Sequence, residues 1–159
     1  MESGYSEEEA AELLTSVGPA FRKMRRTVLT QVENPVPAKD LSRTLVLTIV
    51  EEGDVEGEVT VGAVAASLAV DPSVASRMVS DCISAGYLVR AASQRDGRRT
   101  ILQLSDEGVA LLGRFREQQR EAFLHITADW TERDRLDFAR LVLKYVDSIG
   151  QLRDRATPN

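Results

Sequence analysis

Apolar residues return at helical spacing along most of this chain, with one short stretch built instead for strands. Ser6-Glu7-Glu8-Glu9 has the form of a capping box, and Leu13, Leu14, Val17, Phe21, Met24, Val28 and Val32 trace one stripe of the helix it opens. Gly18-Pro19 is a kink point within that stripe, and Asn34-Pro35-Val36-Pro37 ends it as a stiff connector. Asp40 then caps a pattern with Leu41, Leu45, Thr48 and Ile49 inward, closing in the acidic turn EEGDVEGE. Val59 is a candidate short strand. Thr60 caps a helix from about Val61 to Leu68, with Val61, Val64, Ala65 and Leu68 on one face. Asp71 and Pro72 open another that runs to about Ala85 and stops at Gly86, which suits a left-handed C-terminal position. Tyr87-Leu88-Val89 and Thr100 to Leu104 read as strands joined by the loop RAASQRDGRR. A helix capped by Ser105 and carrying Val109, Leu112, Phe115, Phe123 and Ile126 reaches about Thr127. Thr131, with Asp134 three residues on, opens the last one, through Leu136, Ala139, Val142, Leu143, Val146 and Ile149. Residues 154–159 have no pattern and read as a flexible tail.

The fold class is therefore mainly α with a small antiparallel β-wing, a winged helix-turn-helix over residues 38–104. Long apolar helices flank it at 1–35 and 105–153. In the second helix of the pair, Ala75, Met78, Val79, Cys82 and Ile83 fall inward, while Ser73, Val74, Ser76, Arg77 and Ser80 point away. That outward set has two readings. Small and hydroxyl-bearing residues with one arginine suit entry into a DNA major groove, because the backbone can approach and Ser or Arg can reach base edges. An ordinary solvated helix face has the same composition.

Charge bears on that choice. The whole chain carries −5, yet residues 72–104 hold five Arg against two Asp. Four of the arginines, Arg90, Arg95, Arg98 and Arg99, lie in the loop beside a single acid, Asp96. A basic patch on an acidic protein points to a polyanionic partner. Asp96-Gly97 is also a two-residue turn signal, which pairs Arg95 with Arg98 and Val89 with Leu104 and needs no ligand.

In order and spacing these segments resemble the MarR family of bacterial winged-helix transcription regulators. The resemblance is carried by DPSVASRMVSDCISAGYLVR followed by RDGRRTILQLSDEG. Asp96, Gly97 and Arg98 match the family's Asp-x-Arg wing, and Leu104, Ser105 and Gly108 match its Leu-Thr-x-x-Gly, with Ser in place of Thr. Cys82 stands where the family usually has Leu. The resemblance implies that Arg98 reaches the minor groove, that Asp96 holds the wing arginines, Arg95 and Arg99 among them, and that Ser73, Val74, Ser76, Arg77 and Ser80 face the major groove. It also implies a homodimer through the N- and C-terminal helices, a palindromic double-stranded DNA operator, and release by a small effector, often aromatic and anionic. Arg22, Arg25 and Arg26 could pair with such an anion, but they read more simply as a solvated face.

Composition sets the remaining bounds. At 159 residues, 43% hydrophobic and 28% charged, the chain has the size of one domain and no apolar run long enough for a membrane span. Its acidic N-terminus is unlike a signal peptide, so a cytoplasmic location is expected. One cysteine and one histidine leave no metal site and no nucleophile–base pair. Cys82 reads as a packed, inert thiol, His125 as a partly buried packing residue and Trp130 as a packing anchor. Neither a nucleophile elbow nor a phosphate-cradling glycine loop occurs, so no enzyme and no cofactor is expected. Two functions stay open: a dimeric DNA-binding regulator acting as a repressor, and a winged-helix module that binds protein, which the acidic net charge favours.

Overall fold

The computed structural model describes residues 4–24, 37–53 and 57–156. The order is α1 (Glu7–Met24), α2 (Ala38–Glu52), α3 (Val61–Leu68), α4 (Pro72–Ser84), β1 (Leu88–Ala92), β2 (Thr100–Leu104), α5 (Asp106–Ile126) and α6 (Glu132–Ala156). The first helix forms a unit of its own, and the elements from α2 onward form a second.

The capping box that opens α1 is reciprocal. The Ser6 amide donates to the Glu9 carboxylate at 2.8 Å and the Glu9 amide donates to Ser6 Oγ at 3.3 Å, holding the Glu9 carboxyl below the usual range. Leu13, Leu14, Val17 and Phe21 are exposed along this helix, Leu14 at 76%. The continuation of their stripe through Val28 and Val32, and the 34–37 connector as far as Val36, lie outside the described residues.

In the second unit one core joins α2 (Val46, Leu47, Val50), α3 (Val64, Ala65), α4 (Ala75, Val79, Cys82), the strands (Val59, Leu88, Leu102) and α5 (Leu111, Leu112). Burial of these side chains, at about 1.5–3 kcal/mol for each large one, is what holds three short helices and a two-stranded hairpin together. The inward faces of α3 and α4 are those that periodicity predicts. That of α2 is not. Leu41 and Leu45 are exposed, at 39% and 54%, while Asp40 and Thr44 are buried. The carbonyl of Pro37, not the Asp40 side chain, receives the first helical amides. Asp40 turns inward to meet Arg43, and Thr44 satisfies its hydroxyl on the Leu41 carbonyl at 2.8 Å, so polar residues occupy the core-facing stripe without an orphaned group.

Helix α5 buries Gly108, Leu111, Leu112 and Ala122, whereas Val109 and Ile126 are exposed. His125 is exposed, not partly buried. The Thr131–Asp134 capping box opens α6 with the Asp134 amide donating to Thr131 Oγ1 at 3.1 Å. Trp130 packs edge-on to Phe138 at 5.4 Å, and Phe138 stacks with Phe123 at 6.0 Å, which folds α6 against the end of α5. Beyond that corner α6 is apolar and open, with Leu136, Leu143, Val146 and Leu152 all more than half exposed. It continues to Ala156, so the helix takes in the start of the stretch read as a tail.

Candidate nucleic-acid interface

The turn between α3 and α4 is set by local chemistry. Thr60 Oγ1 accepts the Ala63 amide at 3.2 Å to start α3. The helix ends with Ala69 in the left-handed region (φ 52°), and the amides of Ala69 and Val70 close back on the carbonyls of Ala66 and Ala65. Asp71 then occupies the cap position of α4, but its carbonyl rather than its carboxylate receives the Val74 and Ala75 amides, at 2.9 and 3.1 Å. Gly86 (φ 82°) ends α4 as expected, with the Tyr87 amide donating to the Cys82 carbonyl at 2.9 Å.

Between those two ends α4 buries Ala75, Val79 and Cys82 and turns Ser73, Ser76, Arg77 and Ser80 to solvent, with Val74 half-buried. Cys82 is fully buried, and burial pushes its thiol up to about 11, consistent with a packed and unreactive group. The helix is clamped from behind by Arg43 of α2. Its guanidinium donates to both oxygens of Asp81, at 2.6 and 3.0 Å, and to Asp40 at 2.7 Å, while lying 5.7 Å from the centre of the Tyr87 ring. The hydrogen bonds to Asp81 first, then to Asp40, bind the Arg43 proton more tightly than usual, and Asp81 is correspondingly held below the ordinary aspartate range. One of the two acids of residues 72–104 is thereby neutralised. Periodicity missed Arg43, although its i,i+3 spacing to Asp40 was readable.

The wing departs from the expected register. Leu88 faces Leu104 and Val89 faces Gln103, one residue away from the pairing an Asp96-Gly97 hairpin turn imposes. The ladder runs past Ala92 and Thr100 to a Ser93 amide bond on the Arg99 carbonyl at 2.9 Å, leaving residues 94–98 as the tip. Inside it, Asp96 accepts the Arg99 amide on its carbonyl at 2.8 Å and the Arg98 amide on Oδ1 at 3.0 Å. Asp96 thus shapes the backbone that carries Arg98 and Arg99. The shift has a cause in two residues that no sequence pattern marked. Buried Ser93 donates its hydroxyl to buried Glu58 and accepts the amides of Arg95 and Asp96, at 3.1 and 3.0 Å, which curls the chain before a two-residue turn can form. Arg95, Asp96, Arg98 and Arg99 are all exposed. Val59 adds the third strand segment as a single bridge, accepting the Leu102 amide at 2.7 Å.

At the wing root, Ser105 donates to the Gly86 carbonyl at 2.6 Å, accepts the Gly108 amide at 3.1 Å, and gives its own amide to the Tyr87 carbonyl. Gly108 lies against that carbonyl so closely that a Cβ would sit 2.2 Å from its oxygen. This joint fixes the end of α4, the start of β1 and the start of α5 in one piece. A hollow of about 500 Å³ opens between α2, α3 and α5, lined among others by Leu45, Thr48, Leu68, Phe115 and Arg116, the last paired with Glu51. Among the described residues no cluster of His, Cys, Asp and Glu is placed to hold a metal, and no helix is long and apolar enough to cross a membrane.

Two helices joined by a tight turn, the second exposed and followed by a basic two-stranded hairpin, define a winged helix-turn-helix protein. Residues 39–99, from the start of α2 to the wing tip, match the model of the MarR family. An HTH-type transcriptional regulator of Mycobacterium tuberculosis is 29% identical over 140 residues, spanning 86% of this chain and 94% of that protein. A MarR family protein from Bacillus stearothermophilus superposes over 92% of this chain and 99% of its own with a TM-score of 0.62 at 17% identity. The PcaV transcriptional regulator of Streptomyces coelicolor, solved in complex with its natural ligand, covers 94% and 99% with a TM-score of 0.55 at 20% identity. Over residues 39–99 the chain is similar to the MarR family, and it shares the winged-helix fold of the MarR family structures on which it superposes.

Proposed function

We propose that this protein is a homodimeric, sequence-specific transcriptional repressor that binds a palindromic operator in the cytoplasm, with α4 in the major groove and the wing in the minor groove. The observation that carries this is the display of Ser73, Ser76, Arg77 and Ser80 on α4, and of Arg95, Arg98 and Arg99 on the wing, as exposed side chains of a chain whose net charge is −5. Hydroxyls and one arginine on a helix with a small-residue face suit base edges. The wing arginines suit phosphates and a narrow minor groove. Val74, half-buried, contributes a methyl contact at the edge of the helix, and Asp96 shapes the wing backbone without touching DNA.

The exposed apolar residues of α1 and α6 support dimerisation, because apolar surface on this scale is rarely left to water. A two-fold pair of such units sets two α4 helices about one DNA turn apart, hence the palindrome. The reading includes release by a small aromatic or anionic effector, to which no residue is assigned, since the hollow between α2, α3 and α5 carries Glu51 and Glu52 beside Arg116, already paired with Glu51. Such a ligand releases DNA only if it prefers one dimer shape over the other.

Selection of bound sequences from a random duplex pool, with affinity followed against salt, tests this. The expected result is a palindrome and a steep loss of affinity as salt rises. Absence of duplex binding at low salt refutes it and favours the protein-binding alternative. Within the DNA reading, Arg98→Ala is expected to weaken binding at flanking positions, and Arg77→Ala or Ser76→Ala to alter base preference.

A further inference from the structure

We infer that Glu58 and Ser93 form a buried lock that positions the wing arginines for DNA; the inference rests on the DNA-binding reading above. The wing is an exposed hairpin, yet at its neck these two polar residues, far apart in sequence, are only 7% and 4% exposed. The Ser93 hydroxyl lies 2.8 and 2.7 Å from the two Glu58 carboxylate oxygens and shares its one proton with them. Its lone pairs receive the amides of Arg95 and Asp96, so its full hydrogen-bonding capacity is used. Glu58 also accepts the Gln94 amide at 3.1 Å.

The carboxylate is itself placed by its neighbour. Val59 is 2% exposed and holds the Leu102 amide of β2, so Glu58 is anchored to the core at one end and to the wing tip at the other. From there the order passes on. Asp96, fixed through its amide, holds the amides of Arg98 and Arg99. One continuous hydrogen-bonded path therefore runs from a core strand to the backbone of Arg95, Arg98 and Arg99. A tip fixed before binding does not have to be ordered during it, which raises apparent affinity by the ratio of ordered fractions. An acid beside a phosphate-binding loop opposes DNA by its charge, so its effect through positioning and its effect through charge have opposite signs.

That opposition makes the test decisive. In the full chain, with a duplex that the wild type binds, Ser93→Ala and Glu58→Ala are each expected to lower affinity on the order of tenfold, the weight of about one buried hydrogen-bond site. The loss should fall at operator positions flanking the α4 contacts. Glu58→Gln keeps an acceptor for Ser93 and Gln94 and should restore most of the binding. In an Arg98→Ala background, Ser93→Ala should cost at most about twofold, because the lock acts through the wing arginines. Binding by Glu58→Ala as tight as that by Glu58→Gln, which lacks the same charge, overturns the lock, as does a Ser93→Ala loss of equal size with and without Arg98. If a variant does not fold, amide exchange in the wild type decides: slow exchange at Arg95 and Asp96 supports the lock and fast exchange refutes it. A wild type that binds no duplex at low salt overturns the DNA reading together with this one, whereas a binding wild type with insensitive variants overturns the lock alone.

Discussion

Gly108→Ala sets two physical effects of opposite sign against each other at one site. Gly108 lies in the first turn of α5, where helix propensity alone predicts that alanine stabilises by about 0.5–1 kcal/mol. The structure predicts the reverse. An added Cβ would lie 2.2 Å from the Tyr87 carbonyl oxygen, 3.2 Å from its carbon and 3.3 Å from Leu104 Cδ2. Carbon–oxygen contacts settle at roughly 3.3–3.6 Å, so α5 must retreat from β1 by about 1 Å. The atom struck is backbone, and it already accepts the Ser105 amide at 3.1 Å, so no side chain can swing away. A retreat of that size breaks this bond and the Ser105 hydroxyl bond to Gly86. With about 1–3 kcal/mol for each of these two bonds, less the propensity gain, the net loss is about 1–5 kcal/mol. Urea unfolding followed by far-ultraviolet circular dichroism, at matched protein concentration, measures it. Gly113→Ala is the control. It sits in the same helix with nothing within 4 Å of the added Cβ, and is expected to gain up to about 1 kcal/mol. If Gly108→Ala is as stable as the wild type, the close approach of α5 to Tyr87 is wrong.

Ala69→Gly should stabilise by about 0.5–1 kcal/mol, since alanine pays the left-handed penalty at φ 52°; a loss in thermal midpoint would contradict that backbone conformation. Arg43→Ala is expected to cost about 3 kcal/mol by leaving buried Asp40 unpaired and, under the proposed DNA-binding function, to weaken duplex binding through the freed α4; denaturant titration and duplex binding read the two effects. Asp81 is depressed by Arg43, so its contribution is present above the ordinary aspartate range and is lost as pH falls through the lowered native value. The stability advantage of wild type over Asp81→Asn should therefore vanish in acid below that range, and an advantage that persisted there would exclude the ion pair as its source. Cys82, fully buried and with its thiol at about 11, should react with a thiol reagent at pH 8 only on unfolding, so rapid labelling of the native protein would show the α4 packing to be looser than described.

Local signals carried much of this architecture. Thr60, Pro72, Gly86, Ser105 and the two capping boxes mark helix ends by chemistry that acts within a few residues, and the structure places those ends within a residue or two of where the sequence does. The inward residues of α3 and α4 follow from periodicity alone, because their core face is purely apolar. The resemblance to the MarR family is legible for the same reason: the wing and helix motifs that carry it are short-range patterns. The inward face of α2 was not legible, since Asp40 and Thr44 become core residues only when Arg43 and the Leu41 carbonyl satisfy them. Nor was the wing register. Asp96-Gly97 favours a two-residue turn locally, but Glu58, 35 positions before Ser93, captures that serine and moves every pair by one. Arg43 reaches Asp81 across 38 positions in the same way. Hydrogen bonds between residues this distant in sequence exist only after the chain has packed, and so tertiary structure alone decided how α4 is held and how far the wing arginines extend.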